Sequence, residues 1–139
     1  MNKPVSTIMT QNVITVTSDD DLLKVKNLIF ENHFHHIPVT ENGKLIGIIT
    51  SYDLMKLDMR FEEYKNIKVD EVMTKKVVTL ESNEKIGTAA QIFLRHLFHG
   101  LPIVDENKML KGIVTTHDIM RYEYDKSYPD DVLEQAYRK

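Results

Sequence analysis

Two threonine-aspartate pairs with the same spacing, Thr50 with Asp53 and Thr115 with Asp118, each close an apolar run opened by glycine: Gly47-Ile48-Ile49-Thr50 and Gly112-Ile113-Val114-Thr115. A carboxylate just after such a run, in the first turn of a helix, can accept hydrogen bonds from the vicinal hydroxyls of a ribose. The neighbouring threonine hydroxyl can reach a sugar or phosphate oxygen. The same spacing also makes a capping box that satisfies a helix N-terminus and needs no ligand. Three histidines accompany the pairs. His35 and His99 stand three residues before Pro38 and Pro102, and His117 directly precedes Asp118. Protonated imidazole attracts phosphate, whereas the neutral ring hydrogen-bonds backbone, so both roles are open.

These residues recur because most of the chain does. Met9-Thr10 matches Met73-Thr74, Val13 and Thr15 match Val77 and Thr79, and Pro38 matches Pro102, all at an offset of 64. One extra residue in the second turn makes the offset 65 from there on, which aligns Asp53 with Asp118. A unit of this length is too small to bury a core comfortably alone, so two copies should pack face to face and form paired clefts.

The elements that must position these residues also read twice. Val13 to Val16 and Val77 to Leu80 are β-branched runs expected as strands, with Ser18 and Ser82 as N-caps of the helices that follow. Ile86, Ala89, Ala90, Phe93 and Leu97 form one apolar helical stripe, and Leu22, Val25 and Ile29 the matching one, with Lys26 and His33 in place of Ala90 and Leu97. A hairpin follows in each copy, Ile37–Thr40 into Leu45–Thr50 and Leu101–Val104 into Leu110–Thr115, then a short helix, Tyr52 to Leu57 or His117 to Tyr124. Asp58 to Lys68 reads as a polar, charged linker with some helical character and Asp125 to Pro129 as a break. The expected units are 1–66, 67–124, and a tail or short helix at 125–139.

Composition narrows the functions. The 139 residues, 42% of them hydrophobic, suit one compact domain, and the net charge of -3 disfavours nucleic acid or an anionic membrane as main partner. No cysteine is present, which removes thiolate nucleophiles and zinc-thiolate sites and fits a reducing cytoplasm. No apolar stretch nears the roughly 20 residues that span a bilayer. The sequence also lacks a Gly-x-Ser-x-Gly elbow, a His-Glu-x-x-His pair and a P-loop, so a non-enzyme is expected.

The apolar-Pro-apolar strand, the Gly-apolar-apolar-Thr-x-x-Asp run and the leading Met-Thr, in that arrangement in both copies, closely resemble a tandem pair of CBS domains, a Bateman module. The resemblance implies an α/β (α+β) sandwich of two β-α-β-β-α repeats related by a pseudo-two-fold axis. It also implies clefts for an adenosine-containing ligand: AMP, ADP, ATP, S-adenosylmethionine or NAD. By the same resemblance adenine lies between apolar walls such as Ile37 and Leu101 beside Pro38 and Pro102, while His35 and His99 face phosphates. Thr17 joins Thr115, His117 and Asp118 in one cleft, and Glu81 joins Thr50, Tyr52 and Asp53 in the other, where its charge repels phosphate. The implied protein is a stand-alone cytoplasmic sensor of the energy-sensing kind, acting on a regulated protein or as a homodimer through Leu54, Met55, Leu57, Ile119, Met120 and Tyr122. Two alternatives remain from the residues: divalent metal at His33, His35, His36, His96 and His99, or a structural dimerisation module without ligand.

Overall fold

Turn chemistry and apolar alternation build the same hairpin twice in the computed structural model, which describes residues 1–129. In the first repeat β1, His36–Glu41, pairs antiparallel with β2, Lys44–Thr50, across Asn42 and Gly43. Both turn residues have positive φ, 51° and 82°, which gives a turn whose twist matches that of the strands. In the second repeat a two-residue strand β3, Leu80–Glu81, runs parallel to β4, Gly100–Val104, which pairs antiparallel with β5, Leu110–Thr115. The helices are α1, Leu22–Asn32, and α2, Ser51–Met55, in the first repeat. Their twins are α3, Ile86–His96, and α4, Thr116–Ser127. The molecule is thus a mixed α/β fold of tandem repeats with two small sheets.

Each repeat has its own apolar core, and the two exchange a residue. Leu22, Val25 and Ile29 of α1 pack with Ile37, Val39, Ile49 and Leu54, and Val69 from the start of the second repeat completes that cluster. Ile86, Ala89 and Phe93 of α3 pack with Leu101, Ile103 and Val114, and Val5 from the start of the first repeat completes the other. Val5 and Val69 are both 0% exposed. Thr10 exchanges two backbone hydrogen bonds with Ile113 of β5, and Thr74 does the same with Ile48 of β2. The leading segment of each repeat therefore lies on the other repeat's sheet.

Several elements depart from expectation, the first of them through this exchange. Val13 to Val16 forms no regular strand: the chain leaves β5 at Thr10 and meets β1 only at Val16, whose N–H donates to Pro38 O and whose carbonyl accepts from Thr40. Ser18 and Ser82 are not N-caps. Asp21 caps α1 by accepting from the Lys24 N–H at 2.9 Å, and the Leu22 N–H donates to Ile67 O in the linker. At α3 the carbonyls of Lys3 and Met1 accept from the N–H groups of Ile86 and Gly87. Leu97 leaves the apolar stripe because it ends α3 in the left-handed conformation, φ 55°, as His33 ends α1 at φ 56°. The linker does carry helical character, a short turn at Phe61–Asn66, and it buries Tyr64 in the first core. Helix α4 runs past the expected break at Asp125 and ends at Ser127; the rest of the expected tail, 130–139, lies outside the described residues.

Candidate functional site

Thr50 and Thr115 each end a strand and open a helix, so their aspartates land in the first helical turn. Asp118 Oδ2 accepts from the Thr115 N–H at 2.7 Å and from its hydroxyl at 2.9 Å. Asp53 repeats this on Thr50 at 2.9 and 3.0 Å. The Thr oxygens in turn accept from the aspartate N–H groups, which closes a capping box in both repeats. The capping reading is therefore realised, and each threonine hydroxyl has spent its proton within the box. One carboxylate oxygen remains: Oδ1 of Asp53 and of Asp118 has no partner among the described residues. Both aspartates are half-buried, so a charged acceptor is held at a fixed angle with one oxygen open.

The glycines that open these motifs are explained by the exchanged segments. A Cβ on Gly112 would stand 2.8 Å from the Thr10 carbonyl oxygen and 2.7 Å from Met9 Sδ, and one on Gly47 would stand 3.0 and 2.7 Å from the matching atoms of Thr74 and Met73. Met-Thr and Gly are two halves of one contact, and this crossing brings the N-terminal segment to Asp118. Between that segment and α4 lies a cavity of about 630 Å³ lined by Asp118, Thr7, Ile8 and Thr10, with Lys3, Arg121 and Lys126 as cations, beside Tyr122 and Asp125. Sequence reasoning missed Lys3, Thr10 and Arg121. The repeated Met-Thr pair and the helical spacing of Arg121 from Asp118 were the available signals.

The other expected site residues are distributed differently. Thr115 and His117 do not line the cavity; Arg121 Nη2 donates to His117 Nε2 at 3.3 Å, so the guanidinium supplies the charge there. Thr17 is not among its lining residues either, and its N–H donates to Asp20 Oδ2 at 2.8 Å. Ile37 and Leu101 are 0% and 1% exposed within the two cores, and Pro38 and Pro102 are buried, so none offers an open face to a base. Tyr52 is exposed beside Asp53, with Lys56 Nζ 4.5 Å from its ring centroid. Glu81 lies in β3, paired with Val104.

His35 and His99 gather around His36, which the sequence reading offered for metal and not for the adenosine site. His36 packs over Gly100, its own twin position, where a Cβ would meet its ring at 3.1 Å. Its ring centroid is 6.3 Å from that of His99. Burial first, then the charges of His99 and His35, hold His36 down at about 4, against the upward pull of Asp53. His35 Nδ1 and Ser51 Oγ share a hydrogen bond at 3.3 Å. His96 instead stacks on Phe98 at 5.6 Å. Among the described residues no three His, Cys, Asp or Glu side chains are placed to hold a metal, so the histidine-rich stretch does not fold into a ligand set. Of the six residues expected to mediate pairing, Leu54 is core, Leu57, Ile119 and Tyr122 pack against the cores, and only Met55 and Met120 are exposed, at 80% and 64%. No helix among the described residues is long and apolar enough to cross a membrane.

A family model described as CBS domain matches residues 5–60 and 69–125. The chain is 33% identical over 132 residues to the uncharacterized protein MJ1225 of Methanocaldococcus jannaschii, covering 87% of this chain and 47% of that protein. The MJ1225 crystal structure superposes with a TM-score of 0.82, at 32% identity over 88% of this chain and 48% of that one. The CBS domain pair of protein MJ0100, in complex with 5-methylthioadenosine and S-adenosyl-L-methionine, superposes with a TM-score of 0.78 at 28% identity, over 91% of this chain and 99% of that one. CBSX2 in complex with AMP gives a TM-score of 0.81 at 26% identity, over 90% and 98%. The chain spans about half the length of the first curated relatives it matches, 47% of each.

Proposed function

This chain belongs to the CBS domain family, and we propose on that footing that it is a non-catalytic regulatory pair that binds an adenosine phosphate beside Asp118. The observation that carries the reading is the half-buried Asp118, with Oδ1 open, on the wall of a cavity of about 630 Å³ that also holds Lys3, Arg121 and Lys126. That volume lies within the usual range for small-molecule sites. A ribose diol would donate to the open carboxylate oxygen, and once Asp118 is so engaged the three cations outnumber Asp125. The surplus favours AMP, ADP or ATP over the cationic sulfonium of S-adenosylmethionine. The complexes of MJ0100 and CBSX2 with adenosine compounds support the ligand class.

A homodimer is the second part of the proposal. Leu94 and Leu97 at the end of α3 and Met120 on α4 are 84%, 82% and 64% exposed, apolar side chains on the second repeat that pairing would cover.

Titration calorimetry with AMP tests the ligand. Asp118→Ala removes a charge-assisted acceptor and should weaken AMP by about ten- to a hundredfold. Asp53→Ala deletes the same cap from the other repeat and should leave the affinity near that of the parent. Equal losses in both variants, or none in Asp118→Ala, would place the ligand elsewhere.

A further inference from the structure

Helices α1 and α3 are held at their starts by the same backbone bond but with different support. The Leu22 N–H donates to Ile67 O, and the Ile86 N–H donates to Lys3 O, both at 2.9 Å. Ile67 and Lys3 are twins at the offset of 64. In the first repeat further ties back that bond. Asp21 caps α1 with its side chain, Ile67 packs against the first core, and Lys68 Nζ reaches Asp19 Oδ1 at 3.3 Å. The cap and the packing weigh more than the exposed ion pair.

The second repeat has none of these residues at the twin positions. Lys85 replaces Asp21 and makes no side-chain cap bond, Pro4 and Asn83 replace the ion pair, and an exposed Lys3 replaces Ile67. The start of α3 therefore depends on the backbone of residues 1–4, where the Gly87 N–H also donates to Met1 O at 2.9 Å. Lys3 meanwhile belongs to the Asp118 cavity, which it lines, and has no ion-pair partner among the described residues. One residue thus joins the cavity to the cap of α3.

We propose, on the adenosine reading above, that Lys3 makes the cap of α3 answer to the ligand: a phosphate in the Asp118 cavity engages the Lys3 ammonium and holds residues 1–4 against the helix start. An ammonium that meets the phosphate only while its backbone is docked favours the docked form, and docking favours the ligand by the same factor. One charge-assisted contact sets that factor at about ten. Arg121 and Lys126 stand on α4, so their charges add affinity without reaching the leading segment.

Hydrogen exchange of single amides, read by NMR on the full chain with and without saturating AMP, tests the coupling alongside calorimetry. AMP should slow exchange at Ile86 and Gly87 about tenfold more than at Leu22, the twin amide bonded to Ile67. Lys3→Met should weaken AMP by a similar factor and, once saturated, show no more slowing at Ile86 and Gly87 than at Leu22. Lys3→Arg, which keeps the charge, should restore both. Lys126→Met should weaken AMP yet retain the extra protection at saturation. Equal slowing at Ile86 and Leu22 in the parent, or extra protection that survives in Lys3→Met, would overturn the proposal while leaving AMP bound beside Asp118. Absence of calorimetric binding of AMP to the parent would remove the adenosine reading itself, and this coupling with it.

Discussion

At the scale of single residues, the motif aspartates serve two ends with their two oxygens. Oδ2 closes the helix cap and Oδ1 has no partner among the described residues. The sequence shows the spacing and hence both uses, but it cannot show that one atom is shared out to each. His36 was less legible. Next to His35 it reads as one more histidine in a polar run, and only its packing over Gly100 sets it apart. Its depressed pKa of about 4 has a definite sign in stability. The unfolded chain takes up a proton at His36 near the ordinary value of about 6.5, and the folded chain resists it, so nothing is lost above that pH and stability falls as pH drops from about 6.5 through about 4, by up to about 3 kcal/mol. Urea midpoints measured across that window should fall more steeply for the parent than for His36→Gln. Parallel pH profiles would mean that the ring takes up its proton equally well in both states.

At the scale of elements, the hairpins follow from local chemistry. The Asn42-Gly43 turn and the apolar strands on either side of it specify β1 and β2 with no outside help. What local reading could not supply was the partner of each leading segment. Val13 to Val16 has strand residues but bridges two sheets, and the caps of α3 come from Met1 and Lys3, far away in sequence. The crossing of Gly112 under Met9 and Thr10 offers a direct test. Gly112→Ala should cost about 1–3 kcal/mol in denaturant unfolding, the usual scale of overpacking. Adding Met9→Ala should recover only part of that, since the Thr10 carbonyl, at 2.8 Å, belongs to the backbone and remains. Full recovery would place the strain in the Met9 side chain alone.

At the scale of the whole molecule, the two repeats share a framework and differ on their outer faces. On the first, Lys26 stands over the exposed rings of Phe30 and Phe61, and on the second Leu94, Leu97 and Met120 are exposed with no cation over them among the described residues. Met120→Glu should therefore shift a homodimer toward monomer in sedimentation velocity, with the parent's circular dichroism retained because Met120 is 64% exposed. A parent that stays monomeric at high micromolar concentration would remove the dimer. The exchanged valines bear on how the chain reaches its native state. As synthesis proceeds, the first repeat emerges without Val69, and its core stays open until the linker and the start of the second repeat have followed. Val5, at the start of the first repeat, must wait for Val114, near the end of the second repeat's core. Contacts that distant in sequence slow folding. Neither repeat completes its core alone, so folding of the pair is committed only once most of the second repeat has left the ribosome.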